Sequence, residues 1–253
     1  MKLIISASNA LAKWMGLELV RIPSPDGKQV GVQPLVSDEM TLAWQCHVMR
    51  LHSRAKKGVV IAVEAQSRYT VLMPFNAPPT VEAFENELRR CWGNAFLHFS
   101  LESGAIAEEA IPEIIRRFST LPVEYQWYRN TDLSVNGHVS DAEQWVKQTR
   151  DEFGIDHLSE NDAMGLEMHI NHIPKRMKVN RQRSAPFFSI TRLVDDGLFR
   201  FAKGMSRFTH PDTPKGDFPS PYRGKMSKSS TSSAAKDNVV HLSDYKKRRG
   251  GER

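Results

Sequence analysis

Thr41 to Phe75, TLAWQCHVMRLHSRAKKGVVIAVEAQSRYTVLMPF, contains the clearest strand patterns in the chain. Apolar and polar residues alternate at its start, and a continuous β-branched run, Val59 to Val63, lies at its centre. A third short apolar run, Tyr69 to Met73, follows after a polar connection. These runs predict three consecutive strands, and the central run is typical of a strand covered on both faces. A meander of three strands needs helices to bury its apolar surface.

The rest of the chain supplies patterns for those helices and for further strands. Apolar residues recur at steps of three and four after Thr80, which predicts a helix over 80–99. The same reasoning predicts helices at 105–118, 141–153, 161–173 and 188–201, and strands at 2–6, 123–128 and 133–139. Pro112 lies inside the first of these helices, so its regular part is expected to begin near Ala110. Asn136-Gly137 is equally typical of a tight turn, so the last of these strands has an alternative. We therefore predict an α+β fold with a mostly antiparallel sheet of about five strands, packed on one face by helices 80–99 and 141–153.

The composition changes near residue 209, where Ser, Lys, Gly and Pro begin to dominate. Residues 203–253 contain 12 Lys/Arg and 5 Asp/Glu and therefore carry a net charge of +7. The whole chain carries +6, so residues 1–202 carry −1. A segment with so few large apolar residues cannot offset the entropy of ordering. We predict one α+β domain at 1–205 and a disordered basic tail at 206–253, in which 239–245 forms a short peptide for docking a protein partner.

Several classes of protein are disfavoured by what the sequence lacks. It has no run of 18 apolar residues, so we expect no membrane association and a cytoplasmic location. Cys46 and Cys91 are expected to be reduced, because two cysteines give no disulfide framework. The chain contains no Walker loop, no G-x-G-x-x-G, no G-x-S-x-G and no H-E-x-x-H. We therefore expect neither a cofactor nor a metal site.

A Trp-led strand near Trp44, a polar stretch at 130–141 and a late segment at 169–174 follow one another along the chain. With this order of features the chain resembles an uncharacterised bacterial domain family, a domain of unknown function. Members of that family have a Trp-led strand, an NNRSVLGSMND-like loop and a late LN..P segment. The corresponding residues here are Trp44, followed by Lys56-Lys57 and Arg68-Tyr69, then 130–141 and 169–174. The resemblance covers roughly residues 1–195 in patches. It implies a bacterial, intracellular protein and implies no activity.

Two groups of residues are candidates for binding. Asn, Thr, Asp, Ser and His crowd the predicted loop 130–141, and polar loops on a rigid sheet are frequent binding sites. Turn formation and helix capping are the alternative explanation for those residues. The candidate ligand-binding residues are Trp44, His47, Asn130, Asp132, Ser134 and His138. Two basic segments, 175–183 and 246–249 in the tail, are candidates for contacting nucleic acid. The candidate residues of the first segment are Lys175, Arg176, Lys178, Arg181 and Arg183.

Three functional hypotheses follow from these observations. The first is a non-enzymatic interaction or regulatory module that binds a protein partner through its body or its tail. The second is a weak, sequence-independent nucleic-acid binder that uses the basic segments, whose affinity would fall steeply with salt. The third is an enzyme with its site at 130–141, whose polar residues converge only after folding.

Overall fold

The computed structural model describes residues 1–24, 27, 30–50, 55–179, 182–183 and 185–202. Of residues 178–179 and 182–183 it describes the backbone. The predicted tail, its docking peptide at 239–245 and the domain boundary at 205 lie outside the described residues, and so does Arg181. Predictions about those segments therefore stay predictions.

Five strands of the described chain form one sheet with the order β4-β3-β2-β1-β5. Their bounds are β1 Lys2–Ala7, β2 Thr41–Met49, β3 Gly58–Glu64, β4 Thr70–Phe75 and β5 Glu124–Arg129. The meander of β2, β3 and β4 confirms the three strands predicted from the central stretch. All seven residues of β3 are buried, which confirms that this strand is covered on both faces.

The sheet is mixed, so the prediction of a mostly antiparallel sheet was wrong. The central strand β1 runs parallel to both of its neighbours, β2 and β5. Parallel neighbours need a crossover connection. Helix α1 (Asn9–Met15) and the segment after it return the chain from the end of β1 to the start of β2. A longer helical excursion likewise returns the chain from β4 to the start of β5.

Helices cover both faces of the sheet, which corrects the prediction that helices 80–99 and 141–153 share one face. Helix α2 (Val81–Glu102) buries Phe84, Leu88 and Trp92 in the same apolar cluster as Trp44 of β2. Helix α4 (Leu133–Phe153) packs in the other cluster, with the opposite face of the sheet. The reason is β3, whose apolar side chains point both ways and need an apolar layer on each side.

The predicted strand at 133–139 was also wrong, because these residues form the first two turns of α4. The Asp132 side chain caps the helix by accepting a hydrogen bond from the Ser134 amide at 2.7 Å. Val135 and Val139 are then buried at a spacing of four residues, which is the spacing of one helical face. Gly137 is exposed within α4 and makes no tight turn.

The remaining helices are α3 (Ile111–Thr120), α5 (Glu160–His172) and α6 (Ser189–Phe201). The predicted helices at 161–173 and 188–201 are confirmed to within one residue at each end. Helix α6 packs with α2, where Gly197 lies against the Phe96 ring so closely that an added Cβ would lie 2.2 Å from the ring. Short strands β6 (Lys178–Val179) and β7 (Gln182–Arg183) form a separate hairpin between α5 and α6.

Two side chains of α5 bind the backbone of the edge strand β4. Asn171 accepts a hydrogen bond from the Thr70 amide at 2.8 Å and donates to the Thr70 carbonyl at 2.7 Å. Glu167 accepts from the Leu72 amide at 3.0 Å and from the Tyr69 hydroxyl at 2.9 Å. Burial raises the pKa of Glu167 to about 7, although both of these hydrogen bonds oppose the shift.

The raised pKa of Glu167 makes the stability of the fold depend on pH. Between pH 4.5 and about 7 the folded chain holds a proton on Glu167 that the unfolded chain has lost. The free energy of unfolding therefore falls as the pH rises through this window. Glu167→Gln keeps a neutral group that accepts from Leu72 and donates to the Tyr69 oxygen. We expect the variant to lack this fall, and so to be more stable than the natural chain at pH 8, by at most about 3 kcal/mol.

Urea unfolding of both chains at pH 5, 6, 7 and 8 measures this difference. Glu152→Gln, which replaces an exposed carboxylate of α4, is the matched control and should leave the pH dependence unchanged. Parallel stability curves for Glu167→Gln and the natural chain would contradict the assignment.

Candidate functional site

A cavity of about 810 Å³ lies between α4 and the segment that follows α5. We call it the α4 pocket. Ser134, His138, Asp141 and Trp145 line it from α4, where steps of four, three and four residues place them on one helical face. The opposite wall consists of Ile170, Ile173, Pro174, Lys175, Arg176 and Met177. The pocket thus joins an apolar surface to a small set of polar and charged groups.

The α4 wall is held in place by a buried polar cluster at the carboxyl ends of β1 and β5. The Asn130 side chain pairs with the Gln33 backbone, accepting from its amide at 2.8 Å and donating to its carbonyl at 2.9 Å. Asp132 accepts from the Leu35 amide at 2.7 Å in addition to capping α4. Gln45 of β2 accepts from the Asp132 amide at 2.9 Å. These bonds fix where α4 begins and therefore which of its residues face the pocket.

The opposite wall is anchored by backbone pairing. Pro174 follows the end of α5 and forces a break in the helix. Lys175 then exchanges two backbone hydrogen bonds with Phe187, at 2.7 and 2.9 Å. The residue is thereby fixed with only 7% of its surface exposed. Its neighbour Arg176 is exposed beside it.

Lys175 is a cation in a poorly solvated place. Burial lowers the pKa of its ammonium to about 8, and the nearby Asp141 carboxylate opposes this shift. Within the described part of the chain the ammonium forms no salt bridge and no hydrogen bond. Lysine is seldom so buried without a direct ion pair. An anion in the pocket would supply the salt bridge that Asp141 does not form.

His138 and Arg68 add further unsatisfied groups around Ser134. Burial, together with the charges of Arg68 and Lys175, lowers the pKa of His138 to about 4, so this imidazole is neutral at pH 7. Its Nδ1 atom is buried without a hydrogen-bond partner among the described residues. Arg68 donates from Nη2 to the Ser134 hydroxyl at 3.1 Å, while its Nε and Nη1 are buried and have no partner in the part of the chain that the structure describes. Arg68 also has a φ of +60°, an uncommon conformation for a residue other than glycine.

The structure brings together part of the predicted ligand-binding set and separates the rest. Ser134 and His138 line the α4 pocket, whereas Asn130 and Asp132 are occupied by backbone hydrogen bonds. Trp44 is fully buried in the cluster on the α2 face of the sheet.

His47 lies near α4 but outside the pocket lining. Its Nδ1 is 2.9 Å from the Ser8 hydroxyl, and its Nε2 is 4.0 Å from a Glu143 carboxylate oxygen. Burial lowers the pKa of His47, and the charge of Glu143 opposes that shift. Ser8 also caps α1 by accepting from the Leu11 amide.

The predicted nucleic-acid contacts divide in a similar way. Lys175 and Arg176 line the α4 pocket, and Lys178 and Arg183 belong to the short hairpin, where only the backbone is described. A nearly buried lysine cannot lie along a phosphate backbone on the surface. The basic run is therefore not a uniform stripe of exposed cations.

Sequence reasoning missed Arg68, Asp141, Trp145 and the apolar residues of the opposite wall as members of one site. The pocket-facing residues of α4 recur at helical spacing. Interpreting 133–139 as a strand hides this spacing. Nothing in the sequence links this pattern to Lys175, because that contact depends on how α5 packs.

Comparison with protein-family models, with curated proteins and with solved structures finds no match for the chain. The resemblance to an uncharacterised bacterial family therefore stays a prediction. No helix among the described residues has the length and apolar character needed to cross a membrane. In the same part of the chain, no three His, Cys, Asp or Glu side chains are grouped as metal ligands would be.

Lys175 should cost the fold stability at neutral pH. Below about pH 8 the folded chain carries a buried ammonium, and between pH 8 and 10.5 it binds fewer protons than the unfolded chain. The contribution of Lys175 to the free energy of unfolding therefore rises with pH between about pH 8 and 10.5. We expect Lys175→Met to raise the free energy of unfolding at pH 7 by about 1–3 kcal/mol, and the gain to shrink as the pH approaches 10.

Urea unfolding at pH 7 and pH 9.5 measures both parts of this prediction. Lys147→Met removes an exposed lysine of α4 that does not line the pocket, and it serves as the control. A loss of stability in Lys175→Met at pH 7 would mean that the ammonium already has a stabilising partner.

Proposed function

We propose that the protein is a binding module for a small organic anion, which it holds in the α4 pocket. The observation that carries this proposal is the Lys175 ammonium, nearly buried at the wall of a cavity and without a salt bridge or hydrogen bond among the described residues. A protein built for stability gains nothing from such a group. A ligand that supplies a carboxylate or phosphate gains an ion pair in a poorly solvated site.

The neighbouring charges favour one orientation of the ligand. Arg176 is exposed beside Lys175 on the same wall, so an anionic group there meets two cations. Asp141 lies across the pocket on α4 and repels a second anion. We therefore expect a ligand with one anionic end and a neutral or hydrogen-bond-donating remainder.

The apolar lining favours a ligand with a hydrocarbon or aromatic part. Trp145 is half-buried and its ring meets the His169 ring edge-on at 4.7 Å between centroids, which holds the indole in place. Ile170 and Ile173 lie on the opposite wall. A flat apolar group between these side chains would be sheltered from water on both sides.

This proposal keeps the non-enzymatic module of the first hypothesis and replaces its protein partner with a small molecule. The nucleic-acid hypothesis is less favoured, because Lys175, the first cation of the run 175–183, is nearly buried at the wall of a cavity. Binding to a protein through the tail stays a separate prediction.

Benzoate and phenyl phosphate are suitable anionic probes, with benzamide and phenol as neutral counterparts of the same shape. Isothermal titration of the full chain at pH 7 should show binding of the anions and at least tenfold weaker binding of the neutral compounds. The affinity for benzoate should fall as the pH rises above about 8, because Lys175 then loses its proton.

Lys175→Gln should weaken benzoate binding at least tenfold, or by about 1.4 kcal/mol, whereas Lys147→Gln should leave it unchanged. Equal affinity for benzoate and benzamide, or benzoate binding that Lys175→Gln does not weaken, would reject the proposal.

A further inference from the structure

We infer that the ligand of the α4 pocket carries an aldehyde or ketone as well as its anionic group, and that Lys175 forms an imine with that carbonyl. This inference rests on the proposed function, since it concerns the same pocket and the same ligand. It adds a covalent bond and a narrower ligand class, the oxo acids and other anions that carry a carbonyl.

The choice of lysine at this position is the first argument. A permanent cation for holding an anion is better supplied by arginine, which stays charged and binds carboxylates through two hydrogen bonds. Lysine differs in that its amine can lose its proton and become a nucleophile. With a pKa of about 8, roughly a tenth of the Lys175 side chains are neutral at pH 7.

The position of the amine is the second argument. Lys175 lies at the wall of a cavity large enough for a small molecule, and its backbone is fixed by the pairing with Phe187. Ile170, Ile173 and Trp145 border the same space and limit the water that would hydrolyse an imine. A flexible surface lysine has neither of these features.

The third argument is the presence of a proton carrier. The Asp141 carboxylate lines the same pocket and lies close enough to raise the pKa of Lys175 against the effect of burial. Arg176 is the second cation at this wall, so the anionic group of the ligand can remain paired when the Lys175 amine becomes neutral.

Each step of the condensation is balanced with the groups present. The Lys175 ammonium first gives a proton to the Asp141 carboxylate. The neutral amine then attacks the carbonyl carbon, a C–N bond forms, and the carbonyl electron pair moves to oxygen, which takes up the proton that Asp141 holds. The nitrogen gives a proton to the Asp141 carboxylate. Asp141 returns that proton to the hydroxyl group, the C–O bond breaks, water leaves and the C=N bond forms. One water molecule is released, and nothing is oxidised or reduced.

Reductive trapping tests the inference with three matched probes on the full chain. 4-Formylbenzoate has both the anion and the aldehyde, benzaldehyde has only the aldehyde, and benzoate has only the anion. Sodium cyanoborohydride supplies hydride to any imine and converts it to a stable secondary amine, which intact-mass measurement and peptide mapping detect. We expect one 4-formylbenzoate per chain at Lys175, trapped at least tenfold faster than benzaldehyde, and protection by added benzoate.

Variants separate the imine from simple anion binding. Lys175→Arg keeps a cation and removes the nucleophile, so trapping at this site should disappear while benzoate binding remains measurable. Lys147→Arg should change neither result. If Lys175→Arg fails to fold, protection of the natural chain by benzoate still tests whether trapping occurs in the anion-binding pocket.

The failures are distinguishable. Trapping spread over many lysines, equal rates for the two aldehydes, or no protection by benzoate would overturn the inference. If benzoate binds with the expected pH dependence while trapping at Lys175 is absent, the inference fails and the proposed function stands. If benzoate does not bind, both fail.

Discussion

The burial of β3 on both faces determines how the helices are arranged around the sheet. Every residue from Gly58 to Glu64 is buried, and side chains of a strand point alternately to the two faces. One layer of helices cannot cover such a strand. The chain therefore places α2 on one face and α4 on the other, and the pocket forms on the outer side of the second layer.

The polar cluster at the carboxyl ends of β1 and β5 fixes the position of α4 and so determines which of its residues line the pocket. Gln45, Asn130 and Asp132 use their side chains on neighbouring backbone groups, and together they determine the first residue of α4. A shift of this starting point by one residue would rotate the helix by about 100°. Ser134 and His138 would then no longer face Lys175. Side chains that looked like ligand contacts in the sequence thus act as positioning residues for the site.

How much of this the sequence predicts depends on the range of the interactions involved. The meander and α2 are local patterns with strong periodicity, and both were predicted. The first turns of α4 were misread because Leu133, Val135 and Val139 fit an alternating strand, whereas Val135, Val139, Ala142 and Val146 fit a helix. Only the longer window decides between these two periods.

Local sequence patterns do not predict the parallel pairing of β1 or the approach of Lys175 to α4. Each depends on a connection whose path is set by packing between distant parts of the chain, and no local residue pattern encodes it. Ser134 and His138 are candidates because they belong to the polar stretch 130–141, and Lys175 and Arg176 because they belong to the basic run 175–183. The fold is what places these two sets at a single cavity.

The hydrogen bonds from α5 to β4 also bear on self-association. An edge strand normally offers unpaired amides and carbonyls to any extended chain that approaches it, which is the starting point of fibril growth and strand exchange. Asn171 and Glu167 already occupy the Thr70 and Leu72 positions of that edge. Addition of a foreign strand beside β4 would first have to displace a helix, so this edge of the sheet is protected against strand addition.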